Sequence, residues 1–511
     1  MNTDFTTVQS EPSGFVTVDT PCGKIEGFRG KEGILTFLNI PFATAERWQP
    51  PEEIVSFSGT LPAKAFGPAP IQAEPDPFFA ERNGDFPHVP VSEDCLNLNI
   101  WAADVTAPKK SVLFWVYGGS YIMGYNYKRL NLPENLVKAH PELIVVACNY
   151  RVGVLGSLNL SFLDPDGRYR FSNNLALLDI IAALKWTHHN IASFGGDPGN
   201  VTLYGHSAGS NAISHLLVIP EAENHFQKAV CQSSYMTDLG TVALDTSEEI
   251  GRAFFESAGV STLSGALSLS PEEILAAQKK LFAVRFGGSK ASKLFSPVQD
   301  GLTVGTDAFE RLAKGEFKVK ALMIGGSEGE YDQMFLKMDA EETKASVIQR
   351  NTDKKVTEND MEAFRRLHPE MSDKEAYMTV HNVLGLRLGG EWIARACCSH
   401  IPVYQFTFRL RDPKEGFRAL HGAPCNYVFG NLIPKGSPEK LTEQMMDVWA
   451  AFAGSGNPNV PSIPHWPAYH PDGDVMAIGE TWNLEPGYWK ADFAFWRERF
   501  AENGILAGTA D

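Results

Sequence analysis

Cysteine is scarce in this 511-residue chain, with seven in an odd-numbered set: Cys22, Cys95, Cys148, Cys231, Cys397, Cys398 and Cys425. A small secreted scaffold held by disulfides carries more of them, so the thiols are expected to be reduced and the chain cytoplasmic. Long apolar runs are also missing. Val112–Val116 and Leu143–Ala147 are strand-sized, far below the roughly 20 residues that cross a bilayer as a helix. Positive charge is in deficit: 45 Lys and Arg face 61 Asp and Glu, a formal net charge of −16. That balance repels phosphate backbones and anionic lipid headgroups, which sets nucleic acid and membranes aside as partners. Met1–Gly14 has neither a basic start nor an apolar core and is expected as a polar tail. Neither an H-E-x-x-H nor a paired C-x-x-C motif occurs, and Asp164-Pro165-Asp166-Gly167 lacks the acidic residue that closes an EF-hand loop, so no metal or organic cofactor is expected.

What is present suits a large ordered globule: 43% of residues are hydrophobic, with 10 Trp. Length alone suggests about three domains, yet no repeat and no Gly/Ser or charge-block linker divides the chain. Short apolar runs bounded by turn residues, Val112–Tyr117, Leu143–Asn149, Val201–Tyr204, Ala229–Gln232, Ala321–Ile324 and Val403–Phe408, read as buried strands. Leu177, Ile180, Ile181, Leu184 and Ile191 recur at helical spacing between the second and third. Strand, helix, strand implies a parallel sheet with helices on its faces, an α/β architecture. The expectation is one domain over residues 15–511, with helical insertions around 245–315 and 335–400 that could cap one sheet end.

Val201-Thr202-Leu203-Tyr204 leads into Gly205-His206-Ser207-Ala208-Gly209, the strand, sharp turn and helix start of a nucleophile elbow. Its glycines allow a bend tight enough to thrust the serine hydroxyl outward. A G-x-S-x-G match is weak alone in a chain with 45 glycines, and Gly325-Gly326-Ser327-Glu328-Gly329 matches too. Ser207 is preferred because small Ala208 follows it, where a backbone N–H must face substrate, whereas charged Glu328 follows Ser327.

Outward from Ser207 the chain resembles the type-B carboxylesterase/lipase family, the cholinesterase-like α/β-hydrolases, nearly end to end. The matching residues are Phe37-Leu38-Asn39-Ile40-Pro41-Phe42-Ala43, Glu93-Asp94-Cys95-Leu96-Asn97-Leu98-Asn99-Ile100, Asn149-Tyr150-Arg151-Val152-Gly153, Phe194-Gly195-Gly196-Asp197-Pro198, Gly456-Asn457-Pro458-Asn459 and Trp466-Pro467. The resemblance implies a mostly parallel sheet in a single α/β-hydrolase domain, and hydrolysis of a small or medium apolar ester through an acyl-enzyme. The family's oxyanion loop looks like Trp115-Val116-Tyr117-Gly118-Gly119-Ser120-Tyr121, with Ser120 in place of a third glycine; Gly119, Ser120 and Ala208 would donate their N–H groups. The acid looks like Glu328, with Glu330 and Asp332 close enough to compete, and the base like His421 in Leu420-His421-Gly422. Gly118, His206, Ser233, Tyr121 and Tyr125 are expected behind or beside the site.

The chain departs from the family in places. No cysteine upstream is placed to pair with Cys95, so the usual surface-loop bridge is expected to be absent and the segment 72–91 to be freer as a rim. No Trp lies between Trp48 and Trp101, which argues against choline esters. His206 stands where Glu is frequent, and Pro424 where an acidic residue is expected. Two other readings share these residues: an acyltransferase or cyclase that delivers the same acyl-enzyme to an alcohol or amine, and a non-catalytic scaffold.

Overall fold

The computed structural model describes residues 13–30, 32–75, 80, 84–86, 88–234, 240–286, 294–413 and 416–502. Most of the expected polar tail, and parts of the expected rim, lie outside those residues. Thirteen strands among the described residues join in one sheet. In chain order they are β1 (Gly14–Thr20), β2 (Gly23–Arg29), β3 (Leu35–Pro41), β4 (Thr60–Pro62), β5 (Asn97–Ala102), β6 (Lys110–Val116), β7 (Leu143–Cys148), β8 (Gly196–His206), β9 (Lys228–Gln232), β10 (Ala321–Ser327), β11 (Val403–Phe408), β12 (Asp474–Ile478) and β13 (Trp482–Pro486). Their spatial order is β1-β2-β3-β5-β7-β6-β8-β9-β10-β11-β12-β13, with β4 against β2.

The centre of the sheet, β7 through β12, is parallel. The six apolar runs read as strands fall here, each within or overlapping one of the six strands from β6 to β11. They are near-continuous because helices cover both faces: all six residues of β7 and all five of β9 are buried. Sequence reading named no strand in the margins, β1 to β5 on one side and β12–β13 on the other, where the pairing is antiparallel except at β4 and strands such as β1 and β13 keep exposed residues.

The helices that bear on the site are α1 (Leu175–Asn190), α2 (Ala208–Leu216), α3 (Leu244–Ala258), α4 (Pro271–Phe286), α5 (Asp373–Asn382), α6 (Leu388–Cys397), α7 (Ala423–Phe429), α8 (Leu441–Ser455) and α9 (Lys490–Glu502). Buried residues of α3 and α4 join the main core around the sheet. Those of α5 and α9 build a second apolar cluster around Phe364, Trp392 and Trp496.

Polar ties lock the motif segments together. Asn126 donates its backbone N–H to Asn149 Oδ1 at 2.9 Å and accepts from Asn99 Nδ2 at 2.9 Å, while Asn99 Oδ1 accepts the Asn39 N–H at 2.9 Å. Buried Arg151 forks onto Asp179 of α1, with Nε–Oδ2 at 2.9 Å and Nη2–Oδ1 at 2.7 Å. Breaking such a pair from one side strands the other charge. Asp179→Ala should therefore lower the stability measured by urea unfolding by about 3–5 kcal/mol, and an unchanged midpoint would show that the pair does not anchor α1.

Candidate active site

Parallel neighbours end together, so the loops that follow β6, β8, β9 and β10 emerge at one edge. Val116 pairs with Gly205, His206 with Gln232, and Gln232 with Gly325. β8 ends at His206, and the next residue, Ser207, takes φ 58° and ψ −123° as the N-cap of α2. This backbone region is costly for a residue with a Cβ, by about 1–3 kcal/mol, and it aims the hydroxyl outward. Glycine is required on both sides. A Cβ on Gly205 would stand 2.6 Å from the Gly209 carbonyl carbon, and one on Gly209 would stand 2.1 Å from Val116 O. The Ser207 N–H donates to Gln232 O at 3.0 Å, which ties the bend to β9. The competing serine, Ser327, is the last residue of β10, paired with Phe408 and 1% exposed; the chain runs straight through it with no elbow.

The loop after β6 lies directly on this bend. A Cβ on Gly118 would come within 2.7 Å of Ser207 Cβ, and one on Gly119, at φ 134°, within 1.9 Å of Met123 O. Ser120 and Tyr121 both have φ 56°, so Ser120 adopts the conformation that a glycine would take more easily. The Gly119 and Ser120 N–H groups have no hydrogen-bond partner among the described residues, and Ala208, at the first position of α2, has none within its helix. Three amide donors in the segments next to Ser207 are therefore left without a partner among the described residues. Tyr121 Oη donates to Asn211 Oδ1 at 2.8 Å, linking the loop to α2, and Tyr150 Oη donates to Tyr117 O at 2.7 Å.

The acid expected at position 328 requires correction. His421 Nδ1 lies 2.5 Å from Glu330 Oε2, and the fully buried Glu330 also accepts from Ser233 Oγ and from the Ser327 N–H, each at 2.7 Å on Oε1. Glu328 instead turns to Arg409, 3.7 Å away. Strand register decides between them. The Glu328 N–H still bonds Phe408 O as a rung of the β10–β11 ladder. Gly329 then bridges Leu420, its N–H on Ala419 O at 2.8 Å, and the next residue meets the histidine that follows Leu420. Asp332 is taken by Arg418, with bonds of 2.6 and 2.8 Å. The Glu328-Gly329 dipeptide misled the sequence reading; the signal available was that an acid reaching across the sheet edge must lie beyond the last ladder rung.

His421 sits beside the elbow, its ring centroid 4.4 Å from that of His206. Burial, then the positive fields of His421 and Lys128, push the His206 imidazole well below its usual range, so it stays neutral as packing against His421. Ser233, at φ 58°, supports Glu330. Tyr121 and Tyr125, expected beside the site, are packed rather than open: Tyr121 is 1% exposed, and Tyr125 stacks near Tyr127 while its hydroxyl accepts the Phe86 N–H at 2.9 Å. Among the described residues no group of three or more His, Cys, Asp or Glu side chains could hold a metal.

A parallel sheet that carries a serine on a strained strand-to-helix bend, with a glycine loop pressed on that bend and a carboxylate-bound imidazole nearby, has the build of a serine hydrolase of the α/β-hydrolase fold. The carboxylesterase family model matches residues 15–496. Fumonisin B1 esterase of Sphingopyxis macrogoltabida is 30% identical, over 90% of this chain and 86% of its own length. Para-nitrobenzyl esterase of Bacillus subtilis is 29% identical, over 89% and 92%. The solved carboxylesterase of Geobacillus stearothermophilus superposes with a TM-score of 0.81 at 28% identity, covering 94% of this chain and 99% of that one. The chain belongs to the carboxylesterase family, and it is a serine carboxylic ester hydrolase.

Gly118→Ala should leave the protein folded but lower kcat/KM on an activated ester by about 100-fold, because the added methyl displaces the bend; normal turnover would mean that the loop does not press on Ser207. His215, buried on α2 with neither ring nitrogen partnered among the described residues, is pushed down by burial to about 4. Unfolded histidine binds its proton near 6.5, so this contribution is complete above that pH and drains away as pH falls towards 4. Between those limits His215→Leu should remove about 3 kcal/mol of the wild-type loss in unfolding free energy; a variant that loses as much stability as wild type over that window would count against it.

Proposed function

We propose that Ser207, His421 and Glu330 form the catalytic triad, with Gly119, Ser120 and Ala208 as the oxyanion hole. The observation that carries the proposal is the bond between His421 Nδ1 and the buried carboxylate of Glu330, next to the elbow. With Nδ1 engaged, Nε2 is the nitrogen free to act as base. His421 takes the Ser207 hydroxyl proton as the oxygen attacks the ester carbonyl, while Glu330 fixes the tautomer and stabilises the imidazolium. Negative charge develops on the carbonyl oxygen and is met by the three amides, each removable donor being worth about 3 kcal/mol of barrier. Collapse expels the alcohol, which takes the proton back from His421. Water then repeats the sequence on the acyl-enzyme and releases the acid.

The substrate we favour is a small or medium apolar ester, its fit set by the helical segments around 245–315 and 335–400 as a cap on a single domain. Transfer of the acyl group to an alcohol or amine instead of water would use the same residues, and product analysis with added alcohol separates the two. All seven cysteines are unpaired, which supports a reducing, cytoplasmic setting.

A fluorophosphonate should label Ser207, with labelling lost in Ser207→Ala and retained in Ser327→Ala; label on Ser327 would reverse the assignment. Glu330→Gln should lower kcat on p-nitrophenyl esters by about 10⁴-fold with little change in KM, whereas Glu328→Gln should stay within a few-fold of wild type. Equal losses in both would contradict the assignment of the acid.

A further inference from the structure

A cavity of about 40 Å³ is lined by Ser233, Gly326, Glu330, Arg387, Tyr488 and Trp489 among others. Arg387 is its unusual member. All three guanidinium nitrogens are shielded from solvent and have no hydrogen-bond partner among the described residues, and the same holds for the Tyr488 hydroxyl and the Trp489 indole N–H. Its neighbour Arg418 shows what an arginine normally does in such a place, since its fork is filled by Asp332. Glu328, Glu330 and Asp492 act on Arg387 only through their fields, and Arg418 opposes them.

The local backbone is arranged around this side chain. Arg387 closes a five-residue π-helical segment, Val383–Arg387, inserted between α5 and α6, the kind of irregularity that collects at functional sites. Trp489 holds φ 60°, unfavourable for a residue with a bulky side chain, and places its ring centroid 3.8 Å from Arg387 Cζ. A buried cation without a partner is costly, and strained elements kept beside it point to a ligand that completes the group.

We propose that this cavity binds a small monocarboxylate, the class of anion that ester hydrolysis releases. A planar carboxylate matches the guanidinium fork with two parallel bonds, and the tyrosine hydroxyl and indole N–H add donors. The space exceeds the roughly 10–15 Å³ that a single water requires, which leaves room for a small ligand. The nearby Glu328, Glu330 and Asp492 carboxylates disfavour a dianion such as phosphate. The lining includes Glu330 and Ser233 but neither Ser207 nor His421, and the proposed ligand is held by Arg387 whichever carboxylate serves the histidine.

Thermal unfolding of the full chain in sodium acetate, against chloride and phosphate at matched ionic strength, tests it. Acetate should raise Tm saturably and more than either other anion. Arg387→Met should need at least tenfold more acetate for the same shift, and Arg387→Lys should keep part of the response. Protein whose reactive serine is blocked by a fluorophosphonate should respond as the free protein does. An undiminished acetate response in Arg387→Met, a response lost on blocking the serine, or a larger response to phosphate would each overturn the proposal. If Arg387→Met does not fold, wild-type crystals grown in acetate decide: a carboxylate on the Arg387 nitrogens supports the site, and a cavity without one overturns it.

Discussion

The contact between His421 and Glu330 depends on how two strands lie side by side. The two residues are 91 positions apart in the chain, and they meet because β10 and β11 run parallel in fixed register and the Gly329–Leu420 bridge extends that register past the sheet edge. A one-residue slip would bring a different side chain to the imidazole. The same edge fixes the other parts. Ser207 follows β8, the amide loop follows β6 and Ser233 follows β9, so the parallel core of the sheet acts as a jig for groups that share no local sequence.

That dependence explains which features could be read from the chain and which could not. The elbow is local: Gly205, Ser207 and Gly209 meet steric needs within five residues and against one neighbouring strand, so the motif carried its own physical reason. His421 was recognisable from the residues around it. The acid was not, because Glu328, Glu330 and Asp332 lie within five positions and are separated only by the partners the fold gives them: Arg409, His421 and Arg418. Tyr121 and Tyr125 were expected beside the site, yet their direction depends on Asn211 and on the Phe86 backbone, far away in sequence. The central strands were legible because burial on both faces makes them continuously apolar, whereas margin strands such as β1 and β13 keep exposed residues and were not.

Buried charge distinguishes the framework from the functional region. Arg151–Asp179 and Arg418–Asp332 are two-pronged pairs in which each ion repays much of the other's desolvation. Glu330 is stabilised differently, by a serine hydroxyl, a backbone N–H and an imidazole, so that its charge is committed to one side of His421. Ser207, Ser233 and Ser120 all hold positive φ, and these strained residues gather where the loops converge. Rigid pairs keep the sheet edge in place, and three strained serines stand in the loops that leave it.

The central claim is that an oxygen bonded to the carbon attacked by Ser207 lands among the Gly119, Ser120 and Ala208 amides, with His421 standing between Ser207 and the Glu330 carboxylate. A crystal structure of a phosphonylated protein tests this in one measurement. The account predicts phosphorus on Ser207 Oγ, its phosphoryl oxygen within hydrogen-bonding distance of those amides, and His421 Nε2 facing Oγ with Nδ1 still on Glu330. A phosphoryl oxygen turned away from the three amides, or a His421 ring bonded elsewhere, would contradict it.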